Sequence, residues 1–304
     1  MSSVVWHHLI GVDAAGLRRA RVQTHSAAQW LARAALAYIP ARPDDGHTNF
    51  GWSDTFGGFV THALPDGARL GLKVTDLTLA VLDHAGADTA IMLPLDGCSD
   101  AQVRAWLGRQ MAARGLDPYA LDNPTPYEMP ALANGAVYEA AELANLLSVL
   151  TVWYSNANAA LGARRLDIIE RNLGVRPVRC WPHHFDLDTL VTIAPGRTTG
   201  VGFSPGDDFY NEPYFYVSLY PGPDGASLPP LPAIGRWHTM PFTAAIATAR
   251  RIVEAKDQKR EVEGFLDKAV EIAIKALSCE APQPGMPVAN ACADQIDGAD
   301  HGGS

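Results

Sequence analysis

The sequence predicts an α+β fold: two mostly antiparallel β-meander sheets with long helices packed against them. Three observations carry this. Short runs rich in Val, Leu, Ile and Thr are separated by turns such as Pro65-Asp66-Gly67 and His84-Ala85-Gly86, which is hairpin chemistry. Between and beyond these runs, apolar residues recur at three- and four-residue spacing, the mark of helices with one buried face. The order meander-then-helix occurs twice along the chain.

Taken in order, residues 1–45 hold an N-terminal helix from Asp13 to Tyr38, with Leu17, Ala20, Thr24, Ala27, Leu31, Ala34 and Tyr38 on one face. Pro40 and Pro43 stop it. Residues 46–130 form a first α+β half. A loop with His47, Asn49 and Trp52 leads to strands at Gly58–Ala63, Arg69–Val74, Leu77–Asp83 and Thr89–Leu95. Ser99 or Asp100 then caps a helix from Ala101 to Arg114.

Residues 131–175 contain a central helix, Ala136 to Arg164, apolar on much of its circumference and so expected to be buried. Residues 176–279 form a second α+β half. Its strands are Arg176–Trp181, Leu187–Ala194, Thr199–Phe203 and Tyr214–Tyr220, followed by a long helix from Thr243 to Leu277. Residues 280–304, rich in Pro, Gly, Ala and Asp without periodicity, read as a disordered tail. The two halves rhyme. Trp52-Ser53-Asp54-Thr55 and Phe185-Asp186-Leu187-Asp188-Thr189 each precede a strand, a turn containing Pro and Gly, and a second strand with glycine. Internal duplication and chance similarity of short hairpins both account for this.

Composition bounds the function. With 304 residues, 47% of them hydrophobic and 19% charged, the chain supports a sizeable core. A net charge of −9 and no Lys/Arg-rich run argue against nucleic acid or anionic membrane as principal partner. No apolar stretch is long enough to span a bilayer. Cys98, Cys180, Cys279 and Cys292 are scattered without a CxxC pair, and Met1–His8 has no signal-peptide pattern. A cytoplasmic protein with reduced thiols is expected.

The densest chemistry lies in Cys180-Trp181-Pro182-His183-His184-Phe185-Asp186-Leu187-Asp188. Imidazoles and carboxylates are both metal ligands and proton-transfer groups. If the run is extended, His184, Asp186 and Asp188 share one face and His183 packs on the other. Downstream, Tyr210, Glu212, Tyr214 and Tyr216 place carboxylate and tyrosines together, and Trp237-His238-Thr239 adds a histidine in a loop. P-loop, GxSxG, GxGxxG and HExxH patterns do not occur.

The blocks Trp181–Asp186, Ser204–Asp207, Glu212–Ser218 and Trp237–Thr239 resemble a family of uncharacterised bacterial proteins. That family carries WPHHFD, SPGD, EPY-aromatic-YVS and WHT segments in this order, and His47–Trp52 and Arg69–Leu72 look like its N-terminal blocks. The resemblance covers nearly the whole chain except the tail. It implies that the blocks work as one unit, and it carries over no activity.

The leading expectation is a metal-dependent small-molecule hydrolase. His184, Asp186 and His238 would hold a divalent zinc, manganese or iron ion; Glu212 would act as general base with His183 assisting; Trp181, Tyr210, Tyr214, Tyr216 and Trp237 would line the pocket. Two rivals use the same residues: a metal-free binding protein for a small metabolite, and a structural seam between the halves.

Overall fold

The computed structural model describes residues 5–83, 86–127, 132, 135–223 and 228–278. Helix α1 (Ala14–Tyr38) is capped by Asp13, whose carboxylate accepts from the Gly16 amide at 2.9 Å. It ends at Ile39, held extended before Pro40. Five strands follow: β1 (Gly51–Ser53), β2 (Gly58–Val60), β3 (Arg69–Lys73), β4 (Thr78–Asp83) and β5 (Gly86–Pro94). They pair in sequence order as an antiparallel meander. Helix α2 (Asp100–Ala112) closes this half with a capping box between Ser99 and Gln102.

Helix α3 (Ala144–Glu170) starts later and runs further than the apolar periodicity predicts. The cause is Tyr138, buried and hydrogen-bonded through its hydroxyl to Asp100 at 2.9 Å. Its backbone bonds to Cys98 and Gly97, so the chain is tied to the first half before a helix can begin.

The second sheet comprises β6 (Gly174–Val175), β7 (Arg179–Cys180), β8 (Leu187–Ala194), β9 (Arg197–Ser204), β10 (Tyr214–Tyr220), β11 (Gly235–His238) and β12 (Thr243–Thr248). Its order is β11-β12-β10-β9-β8-β6, with β7 also on β8. Of the expected strand 176–181 only Arg179–Cys180 is a strand; β6 precedes it on the same edge, and the two are separated around Pro177, which lacks a ladder donor. The expected helix from Thr243 is divided. Thr243–Thr248 is a strand between β10 and β11, and helices α4 (Ala249–Val253) and α5 (Gln258–Ser278) follow it. Alanine favours helix, but two flanking strands with free edges outweigh that preference.

A pair of backbone hydrogen bonds between Phe50 and Cys180, 3.0 and 2.9 Å, joins the two sheets at the edge formed by β1 and β7. Helices α3 and α5 cover one face of β8–β10. There Trp153 stacks on Phe203 and Tyr154 meets Phe59, Phe185 and Phe203, so both halves share one continuous core. Truncating a side chain as large and buried as Trp153 would cost about 3–5 kcal/mol.

Among the described residues no helix is long and apolar enough to cross a membrane. The expected turn at residues 84–85, part of the loop 221–232 and the tail 280–304 lie outside the described residues.

Candidate functional site

The segment between β7 and β8 is a tight turn, not an extended strand. Trp181 O accepts from the Phe185 amide at 2.7 Å, and Asp186 O accepts from the Trp181 amide at 3.1 Å. Phe185 has φ +58°, a left-handed conformation that costs a bulky residue energy. Three contacts hold it there. Its ring is buried, it stacks on His25 of α1 (centroids 4.6 Å, 7°), and its carbonyl accepts from the Tyr154 hydroxyl at 2.7 Å. Pro182 O is fixed likewise by His25 Nε2 and Gln29 Nε2, each at 2.8 Å. Burial pushes the His25 imidazole down to about 4, which keeps it neutral.

The consequence is that His183 and His184 both point outward. Both are exposed, and their ring centroids lie 4.2 Å apart. The alternation expected for Trp181–Asp188 therefore holds only from Asp186 onward. The His183 imidazole is pushed below its ordinary value by loss of solvent and then by His184 beside it.

Asp186 and Asp188 stand on the sheet face turned away from the helices. A row of register partners runs across that face: Asp188, Gly202, Tyr216, Ile246 and Arg236. Glycine at 202 is required here, because a Cβ would lie 2.4 Å from the Tyr216 ring. Tyr216 lies over this gap and donates to Asp186 Oδ2 at 2.5 Å. Trp181 Nε1 donates to Asp188 Oδ1 at 2.8 Å.

Asp186 Oδ1 is buried and has no hydrogen-bond partner, although the residue as a whole keeps some exposure. Burial raises both carboxyls. Asp188 is pushed up to about 8, by desolvation first and by the neighbouring Asp186 second. Cys180, beneath them, is buried and its thiol is raised well above the usual range, which makes it an inert thiol.

These groups line one wall of a cleft of about 440 Å³ at the junction of the two sheets. Arg42 and Asp44 from the segment after α1, and Asn49 and His62 from the first half, line it as well, with Arg176 and Arg179. Asp44 pairs with Arg176 at 3.3 Å.

The remaining expected site residues lie elsewhere. Glu212 Oε2 accepts from the Arg250 amide at 2.7 Å, next to the start of α4, which is a capping role. Tyr214 donates to Asp207, and the Tyr210 hydroxyl is hydrogen-bonded to His238 Nδ1 at 2.8 Å. His238 is packed by Phe209 and Phe242, and Arg236 lies over the Tyr210 ring at 4.9 Å. Trp237 faces the core side and donates to Pro229 O at 2.8 Å. His238 is four strand spacings from β8, roughly 19 Å. His184 and Asp186 thus share the cleft, while His238 stands apart from them. Among the described residues no three His, Cys, Asp or Glu side chains are grouped so as to hold a metal ion.

Asp188 was read in the sequence on one face with His184 and Asp186 but given no role of its own; His62, Arg42 and Arg179 belong to the cleft without having been singled out. For Asp188 a signal existed: it sits two residues from Asp186 on one strand face, opposite Gly202. Arg42 and His62 carried none, because they reach the cleft only through the junction of the two sheets. Compared with family models, curated proteins and solved structures, the chain matches none.

Proposed function

We propose that the cleft between the sheets is the active site of a small-molecule hydrolase that works by acid–base chemistry. The observation that carries this reading is a pair of groups shifted in opposite directions within one cleft. Asp188 is raised to about 8 and is largely protonated at neutral pH, so it is a proton donor. His183 is lowered and neutral, so it is a proton acceptor at the cleft mouth. Environments that push two titratable groups apart in this way assign acid and base roles. Asp188 would protonate the leaving group, His183 would deprotonate the attacking water, and Asp186, held by Tyr216, would help keep Asp188 protonated by the repulsion between the two carboxyls. His184, Trp181 and Asn49 complete the walls.

The test is turnover of chromogenic p-nitrophenyl acetate and p-nitrophenyl phosphate by wild type, Asp188→Asn and His183→Gln. Wild-type turnover that falls by about 100-fold or more in each variant, with fold retained, supports the reading. Retained folding and no turnover by any of the three would leave a binding protein in its place.

A further inference from the structure

One end of the cleft gathers arginines with which, among the described residues, no carboxylate is paired. Arg179 extends over Gly51, with Nη1 2.6 Å from where a Cβ would stand, so the missing side chain is the space that admits the guanidinium. Arg179 is half-buried, and among the described residues neither it nor Arg42 or Arg69 has a carboxylate within ion-pair distance. Asp44, the acidic residue at that end, is taken by Arg176. Arg179 and His62 line both the main cleft and an adjoining one of about 310 Å³; Arg42 lines the former and Arg69 the latter. Three arginines and a histidine therefore surround the junction of the two clefts, in a chain whose net charge is −9.

Such an arrangement is costly without a counter-ion. Burial, then Arg69, Arg42 and Arg165, pull the Arg179 guanidinium below its ordinary value. His62, hydrogen-bonded to Asn49 at 2.9 Å, is lowered by burial and then by Arg179, Arg42 and Arg69. Arg42 and Arg69 are exposed and Arg179 is half-buried between them; a partly desolvated cation beside like charges is relieved when an incoming anion neutralises it. Three guanidinium groups match a dianion better than a monoanion, and their forked donors suit tetrahedral oxygens.

We propose that Arg42, Arg69, Arg179 and His62 form a subsite for the phosphoryl group of a small phosphorylated molecule, whose remaining part lies in the larger cleft toward Asp186 and Asp188. The identity of the substrate class rests on the reading of that cleft as a small-molecule active site; the binding of the anion does not.

The experiment is calorimetric titration of the full chain with inorganic phosphate, and separately with acetate, at constant ionic strength set by chloride. Wild type, Arg179→Met and Arg69→Gln are compared. Saturable phosphate binding, with acetate much weaker, is expected; Arg179→Met should lower phosphate affinity at least about tenfold and Arg69→Gln by a smaller factor. The melting temperature of Arg179→Met without phosphate should equal or exceed that of wild type, since a buried repulsion is removed. Should Arg179→Met not fold, Arg69→Gln, at an exposed position, carries the comparison. No saturable phosphate binding to wild type, equal binding of acetate, or unchanged affinity in the variants would overturn the proposal. Phosphate binding without turnover of any ester would keep the subsite and remove the hydrolase; turnover without phosphate binding would do the reverse.

Discussion

Two aspartate–tyrosine pairs sit side by side on the open face of the second sheet, and they differ in how the carboxylate is satisfied. Asp207 Oδ1 accepts the Phe209 and Tyr210 amides at 2.9 and 2.8 Å, and its Oδ2 accepts the Tyr214 hydroxyl. Asp186 Oδ2 accepts the Tyr216 hydroxyl, but Oδ1 has no partner and no access to water. The tyrosine rings are 6.1 Å apart. Similar residues thus form a finished turn in one place and an unfinished acid pair in the other. A carboxylate satisfied by its own loop's backbone is explained by folding. A buried oxygen without a partner, beside a second raised carboxyl and a cleft, calls for another reason.

The largest expected difference between the pairs is in pH dependence. Asp188 is raised from 3.8 to about 8 on folding, chiefly by burial, so the folded state binds the extra proton between those values. Its contribution to stability is fully present below about pH 4, declines as pH rises, and is lost above about pH 8. Asp188→Asn should remove this decline, a slope of at most about 1.4 kcal/mol per pH unit, and be the more stable protein at high pH. Denaturant melts of both proteins across that range check it; parallel curves would mean that Asp188 is an ordinary ionised carboxylate.

Next in size is Gly202→Ala, which forces the Tyr216 ring away from Asp186. A cost of about 1–3 kcal/mol is expected in urea unfolding. An unchanged midpoint would show that the ring can move freely. Asp207→Asn should cost about 1–2 kcal/mol by weakening charge-assisted bonds to two amides, with catalysis in the cleft intact. Loss of turnover in that variant would erase the distinction between the pairs. Smallest is Tyr210→Phe, about 1 kcal/mol, since it removes one hydroxyl bond to His238 in a half-exposed cluster. Thermal melts suffice to read it.

Much of the fold was legible because it rests on local pattern. The strands Leu187–Ala194 and Tyr214–Tyr220 alternate visibly, and α1 carries its own cap and stop. Thr243–Thr248 misleads because alanine-rich sequence has no strand signal of its own, and its neighbours in the sheet decide its state. The cleft was half legible. The density of His183, His184 and Asp186 marks one wall, yet their geometry depends on Phe185 being held by His25 and Tyr154, both distant in sequence. Glu212 and His238 drew notice by composition, but the first caps α4 and the second is packed among Phe209, Phe242 and Tyr210. Arg42 and His62 enter only through the join between Phe50 and Cys180.

The measurement that tests the acid–base reading most directly is a carboxyl-carbon NMR titration of protein labelled at aspartate, with Asp188→Asn used to assign the signal. A carboxyl that titrates near 8 and disappears in the variant is the result expected of a proton donor held by burial. Titration of Asp188 near 3.8 would mean that it is ionised at neutral pH, and the proposed donor would not exist.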